Sequence, residues 1–287
     1  MANGTRPVFV PVHYSNVAHL DRFVSSLSRA REFDKVRVLV VNNSEKRDDR
    51  DHIDRLCEEF PNVSPLHVCR NAGYFGGARI ALNGLYEEQE DWPRWVAISN
   101  TDILFPDQGI IRKLERQPAG SFGALGPRIV SLSSGRNQNP FMERRNGIAR
   151  RVMYDLLLSC YAVWRTFHLI SSLKCRMDSR FRERIRKEPA GPLSCRRVYA
   201  VHGSFVVLSH LFFSRGGRID EDIFLFGEEA LVAEECRRLD LPVTYDPGMH
   251  VDHNEHGSFQ YALPRFVYDC NKAAYRFLKK KYSYPRG

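Results

Sequence analysis

The sequence lacks several features that would place it in a protein class at once. No apolar run in its 287 residues is long enough to cross a bilayer without charges, so we expect no membrane-spanning helix. The opening stretch, MANGTRPVFVPVHY, has no apolar segment followed by a small-residue cleavage site. We therefore expect no signal peptide. No internal repeat is visible.

Paired cysteines are also missing. None of the seven cysteines forms a CxxC pair, and their odd number and wide spacing argue against a disulfide framework. This usage is typical of a reducing compartment, which predicts a cytoplasmic protein. The cysteines are Cys57, Cys69, Cys160, Cys175, Cys195, Cys236 and Cys270.

Positive charge is abundant but unevenly placed. Hydrophobic residues make up 43% of the chain, enough for a sizeable core, and the net charge is +9. Residues 136–188 hold 13 Lys and Arg against five Asp and Glu, a net charge of +8. The remainder is close to neutral, so the basic character calls for a local explanation.

Strand and helix patterns alternate through the first half of the chain. Such alternation predicts an α/β fold with a mostly parallel sheet flanked by helices, in which ligands bind beyond the carboxyl ends of the strands. Polar clusters follow three of the strands: VNNSEKRDD, RNAGYFGGA and SNTD. The predicted strands are residues 7–14, 35–43, 63–70 and 94–99, and the predicted helices are residues 19–30, 51–60 and 77–89.

The pattern changes near residue 136 and returns to strands after Pro192. The sequence pattern of residues 148–176 predicts one long helix. It is rich in aromatic and aliphatic side chains and has arginines at both ends. The resulting division has four parts, in which a basic helical insertion separates two halves of one α/β domain and an amphipathic helix ends the chain. Their boundaries are 1–135, 136–195, 196–258 and 259–287.

The segment SNTD places Asn100 and Asp102 just past a predicted strand. Carboxylate and amide oxygens suit Mg²⁺ or Mn²⁺, which bind through one or two carboxylates together with substrate phosphates. The alternative is that Asn100 and Asp102 cap a helix near residues 106–114. The triplet alone favours the capping interpretation.

Three further segments have residues suited to chemistry. NAGYFGGARIALN puts glycines between a strand and a helix, where a phosphate or a plain turn fits equally well; it is neither a G-x-G-x-x-G nor a P-loop. Glu228 and Glu229 stand at a probable helix start, where the dipole favours acids, and either could act as a general base. MHVDHNEHGSF groups His250, His253 and His256 in a spacing that matches no strong zinc pattern.

Taken in order, these segments resemble the inverting family 2 glycosyltransferases, most closely the bacterial rhamnosyltransferase-like branch. The resemblance covers residues 8–130 and 196–256 and implies the Rossmann-like GT-A fold. NAGYFGGARIALN looks like the family segment that lines the nucleotide-sugar pocket, and SNTD looks like its DXD-type metal motif. GGRIDEDIFLFGEEALV is similar to the segment whose second acid is the catalytic base, here Glu229.

The resemblance also implies roles for individual residues. Glu229 would be the base, with Glu228 beside it; Asp102, Asn100 and His253 would hold Mn²⁺ or Mg²⁺. On the acceptor side it implies His202, Gly203, Asp220 and Glu221. The residues it implies for donor binding are Pro11, His13, Asn42, Asn43, Asn71, Gly73, Gly76, Gly77, Asn83 and Asn100. Asn42 and Asn100 stand where the family usually has aspartate, and Glu229 is one methylene longer than the usual base.

The implied activity is metal-dependent transfer of a hexose or deoxyhexose, with inversion, to an acceptor hydroxyl in polysaccharide, cell-wall or glycolipid synthesis. The donor would be a UDP-, dTDP- or GDP-linked sugar, and the acceptor a saccharide or a lipid-linked saccharide. The departures from the motifs leave open a catalytically impaired protein that binds nucleotide sugars or polyanions. A glycosyltransferase acting on nucleic acid is a further alternative.

The basic insertion has three interpretations. The first is a helical hairpin packed on the catalytic domain with a solvated basic face. The second is an amphipathic surface, residues 144–187, in peripheral contact with the inner face of an anionic membrane. The third, binding of nucleic acid or another polyanion, ranks lowest because the aromatic residues are not interleaved with the basic run.

Overall fold

The first half of the sheet is parallel, as its sequence pattern predicts. A computed structural model describes residues 6–88, 92–118, 120–182, 194–219, 223–254 and 263–282. Parallel strands pair in the order β3-β2-β1-β4, of which β1, β2 and β4 are buried and apolar, and a helix follows each of the first three along the chain. The elements are β1 (Val8–His13), α1 (Val17–Ser28), β2 (Arg37–Asn42), α2 (Arg47–Glu58), β3 (Val63–His67), α3 (Tyr74–Glu88) and β4 (Trp95–Asn100).

The second half extends the same sheet with mixed pairing. Its elements are β5 (Ile103–Leu104), α4 (Ile110–Glu115), β6 (Ala124–Ser131), β7 (Arg196–Val198), β8 (Phe205–Ser209), α7 (His210–Ser214), α8 (Glu228–Arg238) and β9 (Val243–His253). The β8 strand lies antiparallel between β4 and β6, and β9 is parallel to β6. The full order is β3-β2-β1-β4-β8-β6-β9-β5, with β7 beside β9, so the predicted α/β class is confirmed.

Apolar side chains cover both faces of this sheet. On one face Leu85 of α3 and Leu231 of α8 pack against the strands, and on the other Phe23 of α1 and Ile111 of α4 do so. Burying such side chains stabilises a fold by about 1.5–3 kcal/mol each. Because both faces are covered, the exposed part of the sheet where polar residues can gather is the carboxyl end of its parallel strands.

The insertion forms two helices, α5 (Ile148–Leu157) and α6 (Tyr161–Arg182), so the prediction of one continuous helix was wrong. The chain turns at Leu158, which is buried and whose carbonyl accepts a hydrogen bond of 3.2 Å from the Tyr268 hydroxyl. Lys272 donates to the carbonyl of Ser159 at 3.0 Å. Both donors belong to the last helix, α9 (Pro264–Tyr282), which therefore satisfies carbonyls that a continuous helix would have bonded internally.

Polar contacts fix α8 between the insertion and α9. Arg145 pairs with buried Glu234 at 2.7 Å, and Tyr282 donates to buried Glu235 at 2.6 Å. Asp155 of α5 pairs with Lys279 of α9 at 2.6 Å. Among the helices that the structure describes, none is long and apolar enough to span a membrane.

Candidate active site

A cavity of about 780 Å³ opens at the carboxyl ends of β1 and β4. One wall is polar and comes from the strand ends, where Asn43 and Asp102 lie. A second wall comes from the start of α8, with Glu228 and Glu229. The third wall is apolar and is built by α5 and α9. Asn43, Gly73 and Asp102 each represent one of the three predicted polar clusters. All three line this cavity, as their positions after strands of the parallel sheet predict.

Asn43 and Gly73 form the floor of the polar wall. The Asn43 amide donates to the Gly73 carbonyl at 2.7 Å, while its Oδ1 atom is buried and receives no hydrogen bond from the described residues. Gly73 has a φ of +78°, and a Cβ there would lie 2.3 Å from the carbonyl oxygen of Phe224. Glycine is therefore required at this position for both reasons.

Asp102 faces a histidine rather than a helix start. Its Oδ1 atom is buried, accepts no hydrogen bond from the described residues, and lies 3.3 Å from His253 Nε2. The short helix α4 is preceded by Gly109, whose amide donates to Asp107. The capping interpretation of the SNTD segment is therefore wrong for Asp102. The backbone N–H of Asn100 donates to the backbone carbonyl of Ser204 at 2.9 Å, and this hydrogen bond fixes the end of β4.

Gln138 orients the His253 ring. Its Oε1 atom lies 2.8 Å from His253 Nδ1. A carbonyl oxygen can only accept, so Nδ1 is the ring atom that donates and Nε2 is the ring atom that faces Asp102. Nε2 and the Asp102 carboxylate are thus two adjacent groups able to ligate a metal, with an outer partner of the kind that metal-binding histidines use.

The metal-ligand set within the protein is small. Across the described ranges, no group of three or more His, Cys, Asp and Glu side chains is arranged to hold a metal ion. Asp102 and His253 provide two ligands, and the unbonded Asp102 Oδ1 atom is chemically suited to a divalent cation. Such a set fits an ion that takes its other ligands from the phosphates of a bound substrate.

Glu228 and Glu229 occupy different environments although they are neighbours in the first turn of α8. Glu228 is buried, and burial, reinforced by the charge of Glu229, raises the pKa of its carboxyl to about 8. Glu229 is half-buried, and its Oε1 atom accepts a hydrogen bond of 3.1 Å from the Gly203 amide. Near neutral pH Glu228 is therefore protonated, while Glu229 faces the cavity.

Gly203 joins this acidic pair to the glycine-rich segment. Its carbonyl accepts a hydrogen bond of 2.8 Å from the Tyr74 hydroxyl. Burial raises the pKa of that hydroxyl well above its ordinary value, and the charges of Glu228, Glu229 and Asp102 raise it further. Tyr74 therefore stays protonated and donates this hydrogen bond, which holds the segment before β8 against the start of α3. A Cβ on Gly203 would lie 3.1 Å from Glu229 Oε1, so a side chain there would crowd the acid.

The third wall is apolar and was not predicted. Tyr154 and Leu158 project from the insertion, and Phe266, Tyr275 and Leu278 project from α9. The Tyr154 and Tyr275 rings lie 5.8 Å apart, and the Tyr275 hydroxyl donates to Asp155 at 2.9 Å. The insertion is therefore part of the site rather than a separate appendage.

Half of the predicted site residues line this cavity. They are Asn43, Asn71, Gly73, Asn100, Asp102, His202, Gly203, Glu228 and Glu229. His202 contacts Ser204 Oγ at 2.9 Å through Nδ1, and its ring centre is 5.9 Å from that of His253. Asp220 and Glu221 lie outside the described residues.

His253 reaches the site through Asp102, and the remaining predicted residues that the structure describes lie behind the site or away from it. His13 is fully buried with Nε2 3.5 Å from Asp49, and burial lowers its pKa despite that carboxylate. Asn42 turns to His67 at 3.1 Å, so Asn43 rather than Asn42 faces the cavity. Pro11 pairs with β4 and is buried. Gly76 and Gly77 are buried in α3 and let it approach Asn43, whereas Asn83 is exposed farther along that helix.

The chain is similar to proteins of known function. No family model matches the chain. It is 25% identical over 284 residues to N-acetylglucosaminyl-diphospho-decaprenol L-rhamnosyltransferase from two strains of Mycobacterium tuberculosis, an alignment that covers 96% of this chain and 84% of that protein.

Two solved structures share the fold. The structure of GalNAc-T7 with UDP, GalNAc and Mn²⁺ is similar with a TM-score of 0.60 and 12% identity over 99% of this chain, which spans 50% of that protein. The mannosyltransferase PcManGT of Pyrobaculum calidifontis, with GDP-Man and Mn²⁺, is similar with a TM-score of 0.55 and 13% identity over 96% of this chain and 65% of its own. The chain is thus a glycosyltransferase with the GT-A fold, and its resemblance to the family 2 enzymes is confirmed.

Proposed function

We propose that this protein transfers a hexose or deoxyhexose from a nucleotide sugar to a hydroxyl of a lipid-linked saccharide, with inversion at the anomeric carbon. The observation that carries the proposal is the composition of the cavity. Asn43, Asp102 and Glu229 lie on one side and an apolar wall lies on the other. A polar donor and an acceptor with an apolar part fit these two sides.

The donor's diphosphate would lie between Gly73 and Asp102. The backbone at Gly73 lines the cavity without a side chain, and Asn43 holds it there by donating to its carbonyl. Asp102 and His253, with Asn100 nearby, would hold Mn²⁺ or Mg²⁺ together with the phosphate oxygens. The ion, when bound, supplies positive charge that stabilises the departing nucleotide diphosphate.

Glu229 is proposed as the general base. Its carboxylate would take the proton from the acceptor hydroxyl as that oxygen bonds to the anomeric carbon and the bond from that carbon to the phosphate oxygen breaks. The Gly203 amide holds Oε1 and so orients the carboxylate. The raised pKa of Glu228 keeps that neighbour neutral near pH 7, so Glu229 is the acid of the pair that we assign as the base. A single base at the cavity wall suits one displacement, which inverts the configuration.

The apolar wall supports a lipid-linked acceptor. Tyr154, Leu158 and Phe266 would contact the first carbons of the lipid while the saccharide reaches Glu229. The M. tuberculosis relative carries the name of an L-rhamnosyltransferase acting on a decaprenol-linked diphosphate sugar, which favours a deoxyhexose donor and a polyprenol-linked acceptor. We place the reaction in cell-wall polysaccharide or glycolipid synthesis, at the cytoplasmic side of a membrane.

A transfer assay tests the proposal. The purified chain would be incubated with Mn²⁺, UDP-, dTDP- and GDP-linked hexoses and deoxyhexoses, and a polyprenyl-diphosphate saccharide in detergent. We expect transfer from one nucleotide class, loss of transfer on chelation of the metal, and the opposite anomeric configuration in the product by NMR. Nucleotide binding without transfer or hydrolysis of any donor would instead identify a binding protein that has lost catalysis.

A further inference from the structure

We propose that the outward sides of α5 and α6 and the start of α9 dock on an anionic lipid bilayer. The docking face is formed by six large apolar side chains: Ile148, Val152, Leu156, Phe167, Ile170 and Phe266. It adjoins the apolar wall of the active-site cavity. The proposal rests on the proposed function only for its purpose, delivery of a lipid-linked acceptor.

Helix α5 has apolar side chains on two opposite faces. Tyr154 and Leu158 face the cavity. Ile148, Val152 and Leu156 are 70%, 61% and 63% exposed, and their spacing of four residues places them on the other face. Apolar faces of helices are ordinarily buried, yet none of the described residues covers the outward apolar face of α5.

The neighbouring elements extend this face towards the cavity. On α6, Phe167 and Ile170 are 47% and 60% exposed and lie one helical turn apart. Phe266, in the first turn of α9, is 43% exposed and also lines the cavity. The apolar surface is thus continuous with the site at Phe266. A lipid-linked acceptor could reach Glu229 along this route while its chain remains in the bilayer.

The charge near the docking face distinguishes three possible partners: a second copy of the chain, a nucleic acid and an anionic bilayer. Residues 136–171 hold six arginines against Glu143 and Asp155, a net charge of +4, and Arg144 before α5 and Arg150 within it are exposed. Two copies of the chain facing each other here would repel. Nucleic acid would match the charge but leave Ile148, Val152 and Leu156 in water. An anionic bilayer satisfies both features, because its headgroups attract arginine and its acyl region accepts apolar side chains.

Vesicle co-sedimentation of the full chain tests this proposal without donor or acceptor. We expect binding to vesicles of phosphatidylcholine with phosphatidylglycerol, and weaker binding to phosphatidylcholine alone. The triple variant I148S/V152S/L156S should lose roughly tenfold or more in affinity for the anionic vesicles. The matched control Y86S/L132S replaces two exposed apolar residues outside the docking face and should bind as the unaltered chain does.

The other outcomes overturn the proposal. Equal binding by the triple variant and the control, or no binding by the unaltered chain, would contradict a docking face. A dimer in light scattering that dissociates in the triple variant, without vesicle binding, would assign the face to a second copy. Thermal melting should be unchanged in both variants, because exposed apolar side chains contribute little to folding. Since no sugar is involved, the result stands whether or not transfer is observed.

Discussion

The polar and apolar walls of the cavity are built in different ways. Asn43, Asn100 and Asp102 lie at or just after strand ends, where hydrogen-bonded register fixes their positions. Tyr154 and Leu158 come from the helical part of the insertion, which tethers such as Asp155 to Lys279 hold against α9. On the proposed function, the sheet would position the residues for the donor, whereas the added helices would contact the acceptor.

The two walls should therefore respond differently to substitution. Changes in the polar wall and at the acids of α8 should alter the chemical step or donor binding. Changes in the apolar wall should alter only acceptor binding. The following substitutions test whether the effects on the donor and on the acceptor are separate.

The largest effect is expected at Glu229. Replacing it with Gln removes the base while keeping the hydrogen-bonding size, so kcat should fall by about 10²–10⁴-fold, the usual contribution of general acid–base catalysis. Donor affinity by calorimetry should stay within about twofold. The matched control is E228Q, which mimics the protonated state of Glu228 and should keep most activity. Equal losses in both variants would remove the distinction between the two acids.

Asp102 should control metal-dependent donor binding. D102N keeps the shape but removes the charge, and we expect donor affinity in Mn²⁺ to fall by roughly 10–100-fold. In the presence of a chelator, the variant and the unaltered chain should bind the donor equally weakly. Unchanged calorimetric affinity in Mn²⁺ would show that Asp102 is no ligand.

Gln138 should act through His253. Q138L removes the acceptor for Nδ1, so the ring can turn or change tautomer, and Mn²⁺ affinity measured with the nucleotide should fall by roughly tenfold. Q138E retains an acceptor and should restore most of the affinity. A purely structural role for Gln138 would instead lower the melting temperature and leave metal affinity unchanged in both variants.

The apolar wall should affect the acceptor alone. Y154S shortens a side chain that lines the cavity, and the KM for a lipid-linked acceptor should rise by about tenfold, the equivalent of about 1.4 kcal/mol. Donor affinity should not change. The exposed Tyr86 offers a control, because Y86S makes the same substitution away from the cavity. A loss of donor affinity in Y154S would show that the walls are not separate.

The smallest effect concerns pH and stability. The pKa of Glu228 is raised to about 8 in the folded protein, so the folded state retains a proton that the unfolded chain loses at its lower pKa. This contribution to stability is fully present in acid and is lost as pH rises towards about 8. The melting temperature of E228Q, which cannot ionise there, should decline less over that window than that of the unaltered chain. Parallel curves would contradict the raised pKa.

Strand periodicity predicted the parallel part of the sheet and the gathering of Asn43, Gly73 and Asp102 at its carboxyl end, because strand direction follows from the local pattern. It did not predict the turn at Leu158, where bonds from Tyr268 and Lys272 replace helical ones. Those partners lie over a hundred residues away in the sequence. Gln138 was missed for the same reason, since only the folded chain brings it to His253. Asn43 rather than Asn42 lines the cavity because of the side of the strand end on which each lies. That orientation was not predicted from the sequence.

The most direct test of a cavity with a polar donor side and an apolar acceptor side is a ratio of two rate constants. It compares kcat/KM for a polyprenyl-diphosphate saccharide with kcat/KM for the same saccharide without its lipid, using one donor and Mn²⁺. The structure predicts a ratio of roughly tenfold or more in favour of the lipid-linked acceptor, falling towards one in Y154S. A ratio near one in the unaltered protein would contradict the assignment of the apolar wall to the acceptor.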